Sequence, residues 1–361
     1  MNPWDTYRPT ITIVMPVYNV EAYVERCLRS VMQQTRPANE CIIVDDASPD
    51  QSIAKCERLI AEYTGPTRFI ILHHKENRGL SAARNTGTDA ATSDYIIYVD
   101  SDDELTTDCL EKLSEPLLRD NSIEMVMGNN QTDCIEMHYS LWQRLWVQLP
   151  NDKRMEDTPS MLYSNEEVRQ WYYKGKTSRP GYVWNKLLKL EFIKKNHLYN
   201  KEGLLYEDLL WSYYLINCLN YAAFICNVTY LRHIRPNSIV TSTNFDKKIQ
   251  HFGMFYEEFA NNIVPGKRIE EAALYTRIFC YHYIDAHDNP SYQYAYRIFR
   301  RELSDGHHRK NVIMLSLAHH LGGNCFSRIL FKIAIRLYLL LLKIYRYLRT
   351  ANKLCCDATN L

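Results

Sequence analysis

The chain has 361 residues, 46% hydrophobic and 24% charged, a globular balance that excludes a disordered or collagen-like polymer and allows roughly two domains. Lys and Arg number 43 against 42 Asp and Glu, so the net charge of +1 excludes a global positive field that would recruit nucleic acid. Eleven cysteines, an odd number without repeated spacing apart from Cys355-Cys356, point to reduced cytosolic thiols rather than disulfides or a zinc site.

Residues 1–10 lack the apolar core of a signal peptide. Residues 10–16 read as a buried strand ending at proline, followed by a helical face of Val20, Val24, Cys27, Leu28 and Val31. Strand patterns recur at 40–44, 69–72, 95–99 and 123–127, with helical spacing at 53–63, 80–91 and 105–117 between them. Such alternation predicts an α/β fold with a mostly parallel central sheet covered on both faces. Past Asn130 the rhythm fails. Stretches 142–149, 166–173, 185–195 and 208–219 are helix-like and 228–233 strand-like, and from 251 the pattern is helical only, as at 252–263 and 270–286.

Ligands of parallel sheets sit beyond the C-terminal strand ends. There the first strand carries Pro16-Val17-Tyr18-Asn19, the second Asp45-Asp46 and the fourth Asp100-Ser101-Asp102-Asp103. Carboxylates on adjacent strand ends would face one cleft and suit Mg²⁺ or Mn²⁺ completed by phosphate oxygens; the bland alternative is that each aspartate caps the next helix.

The segments TIVMPVYN, IIVDDASPD, ENRGLSAARNTG, YIIYVDSDDEL and GLLYEDLLW, in this order, resemble family-2 glycosyltransferases of the GT-A nucleotide-sugar-binding fold, of the kind that builds bacterial cell-surface glycans. The resemblance covers residues 10–107 and 184–242 and implies transfer of one sugar from a nucleotide-sugar, UDP being the commonest carrier, to a saccharide or lipid-linked glycan of capsule or lipopolysaccharide type. It implies that Pro16, Val17, Tyr18 and Asn19 line the base with Tyr18 against its ring, and that Asp46 meets the base edge. Arg78, Arg84 and Asn85 would hold the diphosphate or ribose, although Arg84 could instead pair with Asp50 or Asp89. Asp100-Ser101-Asp102 matches the Asp-X-Asp element: Asp102, or Asp103 beside it, would ligate the metal and Asp100 the ribose or a metal-bound water. Asp208 occupies the position of the catalytic base of an inverting single displacement, with a helix-terminal charge as the plain alternative. Glu207 would point about 100° away on the same helix. No Gln-X-X-Arg-Trp element follows, so transfer is expected to be non-processive.

Trp184, among the tryptophans and tyrosines at 142–184, and Glu207 are the acceptor candidates; core packing is the rival role for each tryptophan. Arg232, His233 and Arg235 would neutralise the departing diphosphate or form a solvated edge. A nucleotidyltransferase or a nucleotide-sugar-binding protein is the alternative reading, but the first strand is followed by no Gly-rich basic loop. The domain plan is a glycosyltransferase domain over 1–245, with a nucleotide half at 10–130 and an acceptor half at 131–245, then a helical region at 246–325 and a basic amphipathic helix and tail at 326–361. No run is long enough to span a bilayer, the longest strongly apolar one being 337–342. Within 329–348, Lys332, Arg336, Lys343 and Arg346 share a narrow stripe with Arg328 in an otherwise apolar helix. That pattern predicts a peripheral enzyme on the cytoplasmic face of the cell membrane, bound to anionic lipid through 328–349, or else a helix buried between domains or in a homodimer.

Overall fold

A computed structural model describes residues 8–134, 160–174, 181–234, 245–262 and 289–302, with isolated positions between and after them. Strands β1 (Ile11–Val17), β2 (Glu40–Asp45), β3 (Arg68–His73) and β4 (Tyr95–Tyr98) alternate with helices α1 (Val24–Met32), α2 (Ser52–Glu62) and α3 (Leu80–Ala90). After β4 come β5 (Glu104–Leu105), α4 (Cys109–Arg119), β6 (Met125–Cys134) and β7 (Met161–Leu162). Then follow α5 (Asn165–Arg169), which continues as a π-helical turn, β8 (Lys186–Lys189), α6 (Leu190–Lys195), α7 (Glu207–Cys218) and β9 (Ala222–Ile234). Beyond them lie α8 (Phe245–Asn262) and α9 (Pro290–Glu302).

The sheet runs β3-β2-β1-β4-β8-β6-β9-β5, with β7 paired to β9. Its nucleotide half is parallel, with Val14 opposite Ile42 on one side and Tyr98 on the other; β8 enters antiparallel to both β4 and β6. All seven residues of β1 are buried, as a strand covered on both faces requires. Pro16 fits because the register with β4 ends at Val14, so no ladder bond is missed where its N–H would be. α3 lies unusually close to β1, since a Cβ on Gly87 would stand 2.4 Å from Val14 Cγ1. Cys27, Leu28 and Val31 of α1 and Cys109, Leu110 and Leu113 of α4 join the same core.

Three boundaries differ from the sequence expectation. Residues 185–195 are not one helix but β8 followed by α6, because Asn185 adopts φ +58° and its amide donates to the Gly128 and Asn129 carbonyls at 2.9 and 3.0 Å. Thr229 Oγ1 donates back to Asn185 Oδ1 at 2.6 Å, locking β8 to β6 and β9; sheet pairing overrides the helical spacing of the leucines. Leu105 belongs to β5, and its helix begins only at Cys109. β9 starts at Ala222, earlier than expected.

The chain divides into two compact units, the first reaching residue 243 and the second comprising 143–149 and the residues from 244 onward. In the second, α8 and α9 join through rings such as Phe259 on Phe299 (5.7 Å) and Tyr256 on Tyr292 (5.5 Å), and Tyr292 donates to the Ile249 carbonyl. The stretch 142–149, most of 270–286, Arg235 and the basic amphipathic pattern at 328–349 lie outside the described residues. Among the described residues no helix is long and apolar enough to cross a membrane.

Candidate active site

The C-terminal ends of β1 and β2 are tied together by short polar side chains. Asn19, at φ +53°, donates its N–H to Ser48 Oγ (2.9 Å), Val20 to Ser52 Oγ (3.1 Å) and Glu21 to Asp50 Oδ2 (2.8 Å). Ser48 and Ser52 both donate to Asp50 Oδ1, which leaves Asp50 a clasp between loops and not a partner of Arg84. Pro16 and Val17 are buried in the strand, whereas Tyr18 is 44% exposed and offers an open ring at the strand end.

Asp46 is buried and fully engaged. Its Oδ1 accepts from the Arg78 N–H (2.8 Å) and its Oδ2 from the Gly79 N–H (2.7 Å), while His74 Nδ1 lies 2.7 Å from Oδ1 and His74 Nε2 2.9 Å from Thr86 Oγ1. Gly79 sits at φ +90°, which a side chain would strain. The carboxylate expected at a base edge therefore anchors the loop that opens α3. Arg78 reaches Glu202 at 3.1 Å, and Asn85 exchanges two hydrogen bonds with the backbone of Asn200. Both thus fasten the loop before α7.

The acidic loop after β4 leans on β9. Asp100 donates its N–H to Tyr230 Oη (3.1 Å), and Tyr230 Oη donates to Asp103 Oδ2 (2.9 Å). The His233 N–H donates to Asp103 Oδ1 (2.7 Å). Burial, reinforced by Asp102 and Asp100, pushes the Asp103 carboxyl well up from its ordinary range. With both oxygens committed to protein donors, Asp103 anchors the loop, and Asp102 beside it is half-buried. Ser101 is buried between them.

The group that would turn to a divalent cation here is the side chain of His233. His233 Nδ1 is buried with no hydrogen-bond partner, while Nε2 lies 2.7 Å from Glu104 Oε1, which also pairs with Arg26. A carboxylate on one ring nitrogen and a bare second nitrogen is how metal-binding histidines are usually oriented. Among the described residues no three His, Cys, Asp or Glu side chains form a ready-made cage, so phosphate oxygens and water would have to complete the shell.

The opposite wall is the start of α7. Tyr206 caps it in the left-handed region at φ +63°, sparsely populated for a bulky residue, and the turn delivers Glu207 and Asp208 in succession. Their directions diverge as helical spacing requires: Glu207 is buried, and Asp208 keeps partial solvent contact. Arg84, 2% exposed on α3, bridges the two walls, donating from Nη1 to Glu207 Oε1 (2.6 Å) and from Nη2 to Asp100 Oδ1 (2.7 Å). Burial alone would discourage its charge; Asp100 and Glu207 hold the guanidinium protonated. Burial and the neighbouring Glu207 push the Asp208 carboxyl up to about 7, against the pull of Arg84. Asp89, the other partner considered for Arg84, instead accepts from Tyr199.

Trp184 has both faces covered: Tyr182 stacks on it at 3.7 Å and Tyr230 at 4.4 Å, leaving it 7% exposed, so it offers no open face to a sugar. Arg232 lies 6.0 Å from its ring. Trp171 packs on Phe224 at 4.5 Å. Sequence reasoning missed four members of this constellation: Lys186, buried beside Tyr182, Tyr182 and Tyr230 in the stack, and His74 behind Asp46. Only the alternation of Tyr182, Trp184 and Lys186 hinted at a strand with one face turned to the site.

Comparison with known proteins agrees with this arrangement. The profile of Glycosyl transferase family 2 matches residues 12–174. EpsH of Bacillus subtilis, named as a glycosyltransferase, is 27% identical over 270 residues, which cover 73% of this chain and 72% of EpsH. The glycosyltransferase GlyG of Streptococcus pneumoniae is 27% identical over 241 residues, 65% of this chain and 74% of GlyG. In fold, the chain superposes on S. aureus TarS 1-349 in complex with UDP-GlcNAc with a TM-score of 0.62 at 16% identity, covering 86% of this chain and 90% of that one. The mannosyltransferase PcManGT from Pyrobaculum calidifontis, in complex with GDP-Man and Mn²⁺, gives 0.52 at 17% identity over 96% of this chain and 90% of that one. The sheet with its acidic strand ends is the GT-A architecture, and residues 12–174 carry the match to the family-2 glycosyltransferases.

Proposed function

We propose that this glycosyltransferase moves one sugar per encounter, with inversion, from a nucleotide-sugar, UDP-sugars first, to a hydroxyl of a saccharide or lipid-linked glycan. The observation that carries the reading is Asp208, a half-buried carboxyl raised to about 7 at the start of α7, next to Glu207, which Arg84 links to Asp100. A carboxyl poised near neutrality can take the proton of an attacking hydroxyl without first being stripped at high pH.

In this reading the exposed Tyr18 ring lies along the base, while Asp46 acts through the loop whose Arg78 and Gly79 amides it holds. Arg78 leaves Glu202 for the diphosphate when donor arrives. Asp102, with His233 Nδ1 and Asp100, would hold Mn²⁺ or Mg²⁺. Such a cation, when bound, offsets negative charge developing on the departing diphosphate. Arg84 keeps the acidic loop and the base helix at fixed separation. The TarS complex with UDP-GlcNAc supports a UDP-sugar, and the PcManGT complex makes GDP-mannose the natural competitor.

Asp208→Asn keeps the shape of the side chain but cannot accept a proton, so turnover should fall by about 10²-fold or more with donor affinity nearly unchanged. NMR of the wild-type product should show the inverted anomer; a retained anomer, or a fully active Asp208→Asn variant, refutes the mechanism. A thermal-shift panel of UDP-, GDP- and dTDP-sugars with Mn²⁺ decides the carrier. The membrane-facing part of the proposal rests on the basic stripe of 328–349. Removing residues from Ser327 onward should abolish binding to anionic liposomes and spare donor hydrolysis.

A further inference from the structure

We infer that Arg26 and Glu104 are positioning residues for the divalent cation: Arg26 grips the acidic loop from α1, and Glu104 turns His233 so that Nδ1 is the ring nitrogen left to the cation. The inference rests on the reading that Asp102 and His233 hold that cation. Glu104 stands opposite Leu231 in the antiparallel ladder of β5 and β9. His233 lies two residues further along β9, on the same face and diagonally across from Glu104, within reach of a long side chain. That reach is used, for His233 Nε2 is 2.7 Å from Glu104 Oε1. The His233 N–H donates to Asp103 Oδ1 at 2.7 Å, so adjacent residues of one loop hold its backbone and its ring.

A carboxylate can only accept, so the bond requires the proton on Nε2 and leaves Nδ1 a lone pair. The imidazole is 10% exposed, and Nδ1 is buried with no hydrogen-bond partner. A bare nitrogen on a neutral imidazole is the form that ligates metals.

Arg26 in turn holds Glu104. Its Nε stands 3.0 Å from the same Oε1 as an ion pair, off the line of a hydrogen bond, and its Nη2 donates to the Asp102 carbonyl oxygen at 2.9 Å. One guanidinium therefore fixes both the main chain of Asp102 and the carboxylate behind His233, a double reach that its planar fork allows. The Arg26 and Glu104 side chains are 34% and 24% exposed and line a groove of about 830 Å³ between α1 and β5. Ion pairs so open to water add little stability. The arrangement thus matters for orientation, and its removal should leave the fold standing.

The test is calorimetry of Mn²⁺ binding to the full chain with UDP or GDP present, whichever raises its melting temperature more, together with NMR of histidine tautomers without metal. Glu104→Ala should weaken Mn²⁺ binding by about 10- to 100-fold, the usual cost of removing the group behind a metal-binding histidine. In a His233→Ala background the same change should cost little, because the ring it turns is gone. Glu104→Gln, whose amide oxygen still accepts from Nε2, should bind Mn²⁺ more tightly than Glu104→Ala. Arg26→Met should cost about tenfold and, since Arg26 also holds Asp102, should keep part of that effect in the His233→Ala background. In the metal-free wild type His233 should be protonated on Nε2, and Glu104→Ala should mix the two tautomers. Equal losses in Glu104→Ala and Glu104→Gln, an undiminished loss from Glu104→Ala when His233 is already alanine, or an unchanged tautomer overturns the role of Glu104. Unaltered affinity in Arg26→Met overturns that of Arg26. If His233→Ala binds Mn²⁺ as wild type does, the metal reading itself falls and this inference with it. If His233→Ala weakens binding and Glu104→Ala does not, the metal reading stands and this inference alone falls.

Discussion

Arg84 is the residue whose removal should disturb most at once. Arg84→Met deletes the cation between Glu207, whose side chain is 8% exposed, and Asp100, whose side chain is 24% exposed. Removing one partner of a buried ion pair costs about 3–5 kcal/mol, because the remaining charge stays buried without compensation. Asp100 is open enough to recover some water, so the lower part of that range, about 3 kcal/mol, is expected, with Glu207 carrying most of it. The chain has two compact units, which makes a single global unfolding energy ill-defined, so the loss is better read locally. Amide hydrogen exchange in α7 should accelerate by about 10²-fold, since each 1.4 kcal/mol is about tenfold. Glu207→Gln in the same background should recover part of the loss, with a coupling of about 1–3 kcal/mol between the two sites. Arg84→Lys should restore one pair at most, because an ammonium lacks the fork that reaches both carboxylates. Exchange in α7 accelerated by less than about fivefold in Arg84→Met, or strictly additive effects of the two substitutions, would refute the bridge.

Turnover should rise through pH 7: Asp208 works only when ionised, and its carboxyl is raised to about 7 by burial and Glu207. At pH 6 about a tenth of the molecules hold it ionised, so kcat should be about tenfold below its plateau; a limb near pH 4 would contradict the geometry. Arg84→Met should move that limb higher still, because Arg84 is the cation opposing the shift. Gly87→Ala should destabilise by about 1–3 kcal/mol, since its methyl would meet Val14 where α3 lies on β1; unchanged urea unfolding of the first unit would refute the contact. Asp102→Asn should weaken Mn²⁺-dependent nucleotide-sugar binding measured by calorimetry, and unaltered binding with Mn²⁺ would move the ligand role elsewhere.

The nucleotide half was readable because its strands are covered on both faces. β1 and β4 are continuous apolar runs that stop abruptly at polar residues, so both the strands and the positions of Tyr18 and of Asp100 to Asp103 followed from local pattern. The separation of Glu207 from Asp208 followed equally from helical spacing. The acceptor half was less legible. Leu187, Leu188 and Leu190 fit either period, and only the left-handed turn at Asn185, held by Gly128, Asn129 and Thr229 from two other strands, selects a strand first. The sequence by itself determined which chemical groups stand at the ends of the parallel strands, since burial leaves polar residues nowhere else to go. Tertiary structure alone decided their partners. Arg84 meets Glu207 from 123 positions away, Asp46 spends its carboxylate on loop amides, and Lys186 comes to lie over the Tyr182 ring. Coulombic and hydrogen-bond energies depend on distances in space, which no local spacing encodes.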